Sequence, residues 1–233
     1  MRTVTFLFLL YLQLPCSFKS CLARDFLNAG QNITGTTSVL VSAGQRFVLG
    51  FFSPAGNPTQ TYLGIWYNQS QSFSSEQPPT VVWVANRDKP ILNSHVGVFQ
   101  IADDGNIVVK VKDGSSSKTY YYWSSELEGS SSRNRTVKLM DSGNLVLFHN
   151  NQNIWQSFQH PTDTFLPGMK MDTNMELTSW RGDSDPGTGN FTFKIKSETA
   201  EDNPPYIILN NNELYWERPE SSEQNRLESR FTV

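Results

Sequence analysis

The chain has 233 residues, 37% of them hydrophobic, 12% aromatic and 18% charged, with a formal charge of −3 at pH 7 and two cysteines. That is enough apolar matter for a buried core, and a slightly acidic chain without Lys/Arg clusters argues against nucleic acid or an anionic membrane surface as partner. After the N-terminus no stretch approaches the roughly 20 apolar residues that cross a bilayer, so no membrane span is expected here.

Met1-Arg2 precede an apolar run from Val4 to Leu14, then Pro15 and a small-residue stretch ending Cys21-Leu22-Ala23. This order is that of a secretory signal, expected to occupy residues 1–23 and to leave a mature chain starting near Arg24. Cys16 and Cys21 both fall inside it, so the mature chain has no disulfide and must rely on packing. Four Asn-x-Ser/Thr triplets stand at Asn32, Asn68, Asn134 and Asn190. Such triplets also arise by chance, but in a secreted chain they read as N-glycosylation acceptors on exposed loops.

The mature chain reads as all-β. Phe47 to Phe52, Tyr62 to Tyr67 and Val81 to Val84 are short β-branched or aromatic runs bounded by Pro, Gly, Asn and Ser, which is the pattern of strands. Ser53 to Pro58 is a turn, and Asn68 to Pro79 a polar loop. Two matching hairpins follow, Asp103-Asp104-Gly105-Asn106-Ile107-Val108-Val109 and Asp141-Ser142-Gly143-Asn144-Leu145-Val146-Leu147, 38 residues apart. Gly at the same place in each turn tolerates positive φ, and an alternating apolar strand runs on from it. Val82-Trp83, Tyr122-Trp123 and Ile154-Trp155 recur at spacings of 40 and 32, which predicts a small β-unit repeated around an axis with Trp83, Trp123 and Trp155 at a shared core.

Beyond Trp155 the texture changes. Gln156 to Thr164 is a turn-rich link, and strand-like segments follow at Leu177 to Trp180, Phe191 to Ile195, Tyr206 to Leu209 and Leu214 to Trp216. They read as an incomplete second β-unit that lacks later strands to cover it, followed by a divergent, disordered tail over 217–233.

Phe47-Val48-Leu49-Gly50-Phe51-Phe52-Ser53-Pro54, Tyr62-Leu63-Gly64-Ile65-Trp66-Tyr67, Val82-Trp83-Val84-Ala85-Asn86-Arg87-Asp88 and Trp155-Gln156-Ser157-Phe158-Gln159-His160-Pro161-Thr162-Asp163-Thr164 resemble plant G-type lectin (S-locus) receptor-like Ser/Thr kinases. The likeness continues through Leu177 to Arg181 and Asp185-Pro186 to Ile195, in the same order, and reaches about Trp216. It implies a bulb-lectin β-prism of three four-stranded sheets with pseudo-threefold symmetry over 24–156, and a partial second lectin-like S-locus glycoprotein region over 157–216. In the resembled family, EGF-like and PAN modules, a membrane span and a kinase come next, and full-length relatives sit in the plasma membrane. None of these modules is legible here, so no kinase activity is expected and the chain is not read as an enzyme.

Bulb lectins read mannose with Gln-x-Asp-x-Asn-x-Val-x-Tyr, whose spacing of two sets five side chains on one strand face. The matching residues are Ala102, Asp104, Asn106, Val108 and Lys110 in one copy and Met140, Ser142, Asn144, Val146 and Phe148 in the other. The first keeps Asp, Asn and Val, the second only Asn and Val. A sugar hydroxyl buried without a partner costs about 1–3 kcal/mol, so two such losses can silence a weak site. Asp104, Asn106, Val108, Asn144 and Val146 are therefore carbohydrate-binding candidates that also have a plainer explanation, as the residues any such hairpin needs.

His95, His149 and His160 are scattered without ligand spacing, so no metal is expected, and nothing calls for a cofactor. Arg181-Gly182-Asp183 is most simply a turn, and Asn86-Arg87-Asp88 a structural corner holding the first sheet against the others. The leading functional reading is a secreted, extracellular recognition module with carbohydrate-binding ancestry and a mannose-type glycan as candidate ligand. The alternative is a protein-interaction module that binds a protein or peptide ligand, or pairs with a full-length receptor, without sugar. A third reading, a secreted glycosidase using Asp103, Asp104 or Asp141, is weaker because each of these has a turn-forming reason to be present.

Overall fold

A computed structural model describes residues 24–69, 78–92, 95–112, 118–128, 134–196 and 206–218. The expected signal over 1–23 and most of the tail, 219–233, lie outside the described residues. Seventeen strands appear among them, and one turn of 3-10 helix at Ser157–Gln159.

Three sheets form a closed prism. The first orders β3 (Leu40–Val41), β4 (Phe47–Phe52), β5 (Gln60–Tyr67) and β6 (Val81–Val84), with β7 (Ile91–Leu92) pairing the start of β5 as a fifth strand. In the second, β2 (Asn32–Thr34) joins β8 (Gly97–Ile101), β9 (Ile107–Lys112) and β10 (Thr119–Ser124). The third sets β1 (Phe26–Asn28) beside β11 (Arg135–Leu139), β12 (Leu145–His149) and β13 (Gln152–Gln156). Strands β1 and β2 are too short to announce themselves by periodicity. Each nevertheless completes a sheet whose other strands lie far along the chain, Leu27 opposite Val137 and Ile33 opposite Phe99, so the start of the chain ties the prism shut.

The apolar–Trp pairs have a mechanical cause. A β-bulge falls just before each Trp, at Tyr121/Trp123 on β10, opposite Leu147/Phe148 on β13, and opposite Ile65/Trp66 on β6. The extra residue is Val82, Tyr122 or Ile154, and the bulge bends the strand so that the next residue turns to the axis. There the rings meet edge to face: Trp83–Trp123 at 5.6 Å, Trp123–Trp155 at 5.6 Å and Trp83–Trp155 at 6.3 Å. Trp83 and Trp155 are buried, and Trp123 packs half-buried against the same core.

Beyond the prism, β14 (Glu176–Gly182), β15 (Asp185–Ile195), β16 (Tyr206–Asn210) and β17 (Glu213–Glu217) make a four-stranded antiparallel meander. The segment expected at Leu214 to Trp216 is β17, which pairs β16 and runs on through Glu217. Arg181-Gly182-Asp183 closes β14 and enters the turn to β15.

Candidate functional site

The two matching hairpins hold their candidate residues in the same way. Gly105 at φ 88° and Gly143 at φ 85° make the turns, and a Cβ on Gly105 would collide with the buried Arg135 guanidinium, which donates to the Gly105 carbonyl. Asn106 is 7% exposed. Its Oδ1 accepts from the Leu127 N–H (2.7 Å) and the Ser125 hydroxyl (2.9 Å), while Nδ2 donates to Asp104 Oδ2 (3.1 Å) and the Leu127 carbonyl (3.3 Å). Ser125 Oγ in turn accepts from the Ile107 N–H at 3.2 Å. The amide of Asn106 is fully committed within the protein.

Asn144, 8% exposed, repeats the pattern in the copy that has lost the Asp. Its Oδ1 accepts from the Phe158 N–H (3.1 Å) and the Ser157 hydroxyl (3.2 Å), Nδ2 donates to Gln156 (2.8 Å), and Ser157 Oγ accepts from the Leu145 N–H (2.9 Å). The two bonds to Oδ1 recur with and without an accompanying carboxylate, so they belong to the hairpin. Val108 and Val146, 2% and 4% exposed, also sit in the packing of their strands. The first unit reaches the same end by exchange. Ala85 stands where the others have Ser, and Asn86 takes over, accepting from the Leu63 N–H (2.8 Å) and donating to the carbonyls of Lys89 (2.9 Å) and Thr61 (3.4 Å). Ser125 and Ser157 were missed by sequence reasoning; the signal was a Ser two residues after each of the last two Trp residues.

Asp104 lies open to solvent, as does Ser142 in its place in the other copy. Hydrogen bonds from the N–H and side chain of Asn106 hold its carboxyl below the ordinary range, so it presents a charged acceptor at neutral pH. Around it Ala102 is buried, and Lys110 stands opposite Tyr121 of β10 on the outer face. Of the acceptor asparagines, Asn134 is exposed at φ 59° before β11, and Asn68 is half-buried with its Nδ2 on the Gln45 carbonyl (2.9 Å). Asn32 and Asn190 are exposed on β2 and β15 rather than on loops; alternation along a strand puts side chains in water as readily as a loop does.

The Asn86-Arg87-Asp88 corner is structural, but its partner differs from the expected one. Arg87 donates to the carbonyls of Pro186 (2.9 Å), Thr178 (3.1 Å twice) and Ser179 (2.9 Å), and Asp88 accepts from the N–H (2.7 Å) and hydroxyl (2.8 Å) of Thr188. The corner therefore grips the C-terminal sheet, not the other sheets of the prism. Desolvation holds the Arg87 guanidinium below its usual pKa against the opposing pull of Asp163 and Asp88. At the same seam burial, with the Asp185 carboxylate adding to it, pushes the Tyr62 phenol up to about 12.

The family described as D-mannose binding lectin matches residues 80–181, which include both hairpins and all three Trp strands. One G-type lectin S-receptor-like serine/threonine-protein kinase of Arabidopsis thaliana is 49% identical over 182 residues, covering 76% of this chain. This chain is a relative of the plant G-type lectin receptor kinases. A second such kinase from the same plant is 38% identical over 204 residues, 82% of the chain. The chain spans only 20% and 22% of the length of these two relatives. Among solved structures, a monomeric monocot mannose-binding lectin from Gastrodia elata aligns with 57% of this chain and 96% of its own, at 20% identity and a TM-score of 0.38. The lectin family match runs from β6 into β14, and no helix among the described residues is long and apolar enough to cross a membrane.

Proposed function

We propose that this chain is the extracellular recognition end of a receptor-type protein, secreted through residues 1–23, and that both legible copies of its mannose motif serve the prism rather than a sugar. The observation that carries this reading is the saturated amide of Asn106, whose two Oδ1 bonds recur at Asn144 where the neighbouring carboxylate is gone. A mannose residue at the first copy would meet one open acceptor, Asp104, with Ala102 and Lys110 where a working motif has Gln and Tyr.

Two ligand readings follow. A protein or peptide ligand is favoured by the C-terminal sheet, where Phe191, Tyr215 and Trp216 are 42%, 66% and 43% exposed, since aromatic side chains are enriched where proteins meet. A full-length receptor of the same kind is the candidate partner for that surface. A mannose-type glycan is favoured by the exposed, charged Asp104 carboxylate, with Asn106 and Val108 beside it and Asn144 with Val146 in the other copy. A mannose-glycan array probed with the wild type and with Asp104→Asn decides: the expected result is no signal that the substitution removes. A mannose signal lost in Asp104→Asn would establish the glycan reading and overturn the proposal.

A further inference from the structure

Where β6, β10 and β13 end, the prism opens into a cleft of ≈ 620 Å³ that touches all three axial Trp residues. Its size falls within the roughly 300–1,000 Å³ of small-ligand sites. Tyr122 and the half-buried Trp123 supply aromatic surface, and the His160 ring lies stacked on Trp155, 5.4 Å away at 6°. Trp83 gives its indole N–H to the His160 carbonyl at 2.9 Å, whereas the indole N–H groups of Trp123 and Trp155 take no partner among the described residues.

The polar rim is sorted by what is already committed. Arg87 is held by backbone carbonyls and Asp88 by Thr188, which leaves Glu126 as the carboxylate free to accept. It stands at φ 53° with its N–H on the Ser124 hydroxyl oxygen, so its side chain is carried on a fixed turn and is exposed. The Ser124 hydroxyl hydrogen remains a donor. His160, with water removed from one ring face, has a pKa below the ordinary value and is neutral at pH 7.

From this arrangement we infer that the axial cleft is a binding site for a neutral pyranose. The C–H face of the ring would lie on Trp123, beside Tyr122, whose ring carries the Lys89 ammonium 5.1 Å from its centroid. Adjacent hydroxyls would donate to Glu126 and accept from indole N–H and Ser124. Two carboxylates in the lining, Asp88 and Glu126, against one Arg87 disfavour uronates and phosphates by like-charge repulsion. The turn that carries Glu126 is held by Asn106 through Ser125 and Leu127, but no side chain of the hairpin motif lines the cleft, and the inference does not depend on whether that motif reads mannose.

The site carries its own reporter, because ligand at the axis changes the surroundings of three of the six Trp residues. The whole chain is titrated with the methyl pyranosides of glucose, galactose and mannose and with methyl glucuronide, following Trp fluorescence. Expected is a saturable change with at least one neutral pyranoside and none with the glucuronide. Glu126→Gln, at an exposed position, should weaken it at least tenfold, and Asp104→Asn should leave it unchanged. Silence with every neutral sugar overturns the inference, as does a response indifferent to Glu126→Gln. A response lost in Asp104→Asn but kept in Glu126→Gln would assign the sugar to the hairpin motif and overturn it equally.

Discussion

The prism and the C-terminal sheet are both antiparallel β, yet they are held by different means. In the prism, pairing of β1 and β2 with distant strands closes three sheets on one core, and Leu27, Ile33, Leu49, Phe99, Val137 and Leu147 reach 0% exposure. No residue of β14–β17 belongs to that core. The second sheet keeps two edges, β14 and β17, buries few side chains and is gripped from one side by Arg87 and Asp88. Each prism sheet keeps two edge strands as well, so the difference lies in burial: three sheets facing one core cover one another's apolar faces, whereas docking holds a sheet only where the contact is made. The comparison predicts a self-sufficient unit and a second one whose order is lent by its neighbour.

The hardest way to break this comparison is to remove an axial ring. Trp155→Ala should cost about 3–5 kcal/mol, comparable to much of a small domain's stability, and abolish cooperative melting, while Lys110→Ala on the outer face leaves the melting curve in place. Equal melting temperatures would contradict a Trp-centred prism.

Next in size is the seam. Arg87→Met takes the charged donors from carbonyls of β14 and β15 and should cost about 1.5–3 kcal/mol, read as faster amide exchange across β14–β17 with the prism still protected. In the wild type β16 and β17 should already exchange faster than β8 and β9. Uniform protection of both regions, before and after the substitution, would show that the sheet stands by itself.

The hairpins sharpen the prism side. Asn106→Ala should lower stability by about 1–2 kcal/mol and Ser157→Ala by about 1 kcal/mol, because each leaves buried backbone or hydroxyl groups without a partner. Thermal melts that do not respond to Asn106→Ala would return that residue to the ligand.

The smallest expected effect depends on pH. The carboxyl of Asp104 is depressed in the fold, so its stabilisation is present above its unfolded value of 3.8 and is lost as pH falls through the folded pKa. Asp104→Asn should therefore melt slightly lower than the wild type at pH 7 and converge with it in strong acid. The side chain is exposed, so solvent screening keeps the difference small. A gap that widened on acidification would reverse the assignment.

Much of the prism was legible because its signals are local. β4 and β6 fall where the aromatic and β-branched runs place them, and the Asp-x-Gly-Asn turns sit at the positive φ that Gly was read to supply. The Trp spacing pointed to an axis where the rings do touch. The three-residue strands β1 and β2 were not legible, since two or three residues carry no period and their pairing partners lie about 65 to 110 positions away. The candidate site was read only by type. Asp, Asn and Val at spacings of two mark a strand face, but which atoms remain open is settled by what arrives from elsewhere.

By itself, then, the order of residues determined the all-β character, the repeated hairpin, the place of each Trp and the relationship to receptor lectins, because turn chemistry and alternation act over a few residues. Tertiary structure alone decided that Leu127 and Ser125 saturate Asn106, that Arg87 reaches across some 90 residues to the second sheet, and that Glu126 is left facing a cleft over the Trp axis. A hydrogen-bonding group has a fixed valence, and only the folded chain determines which neighbours fill it and which bonds stay open.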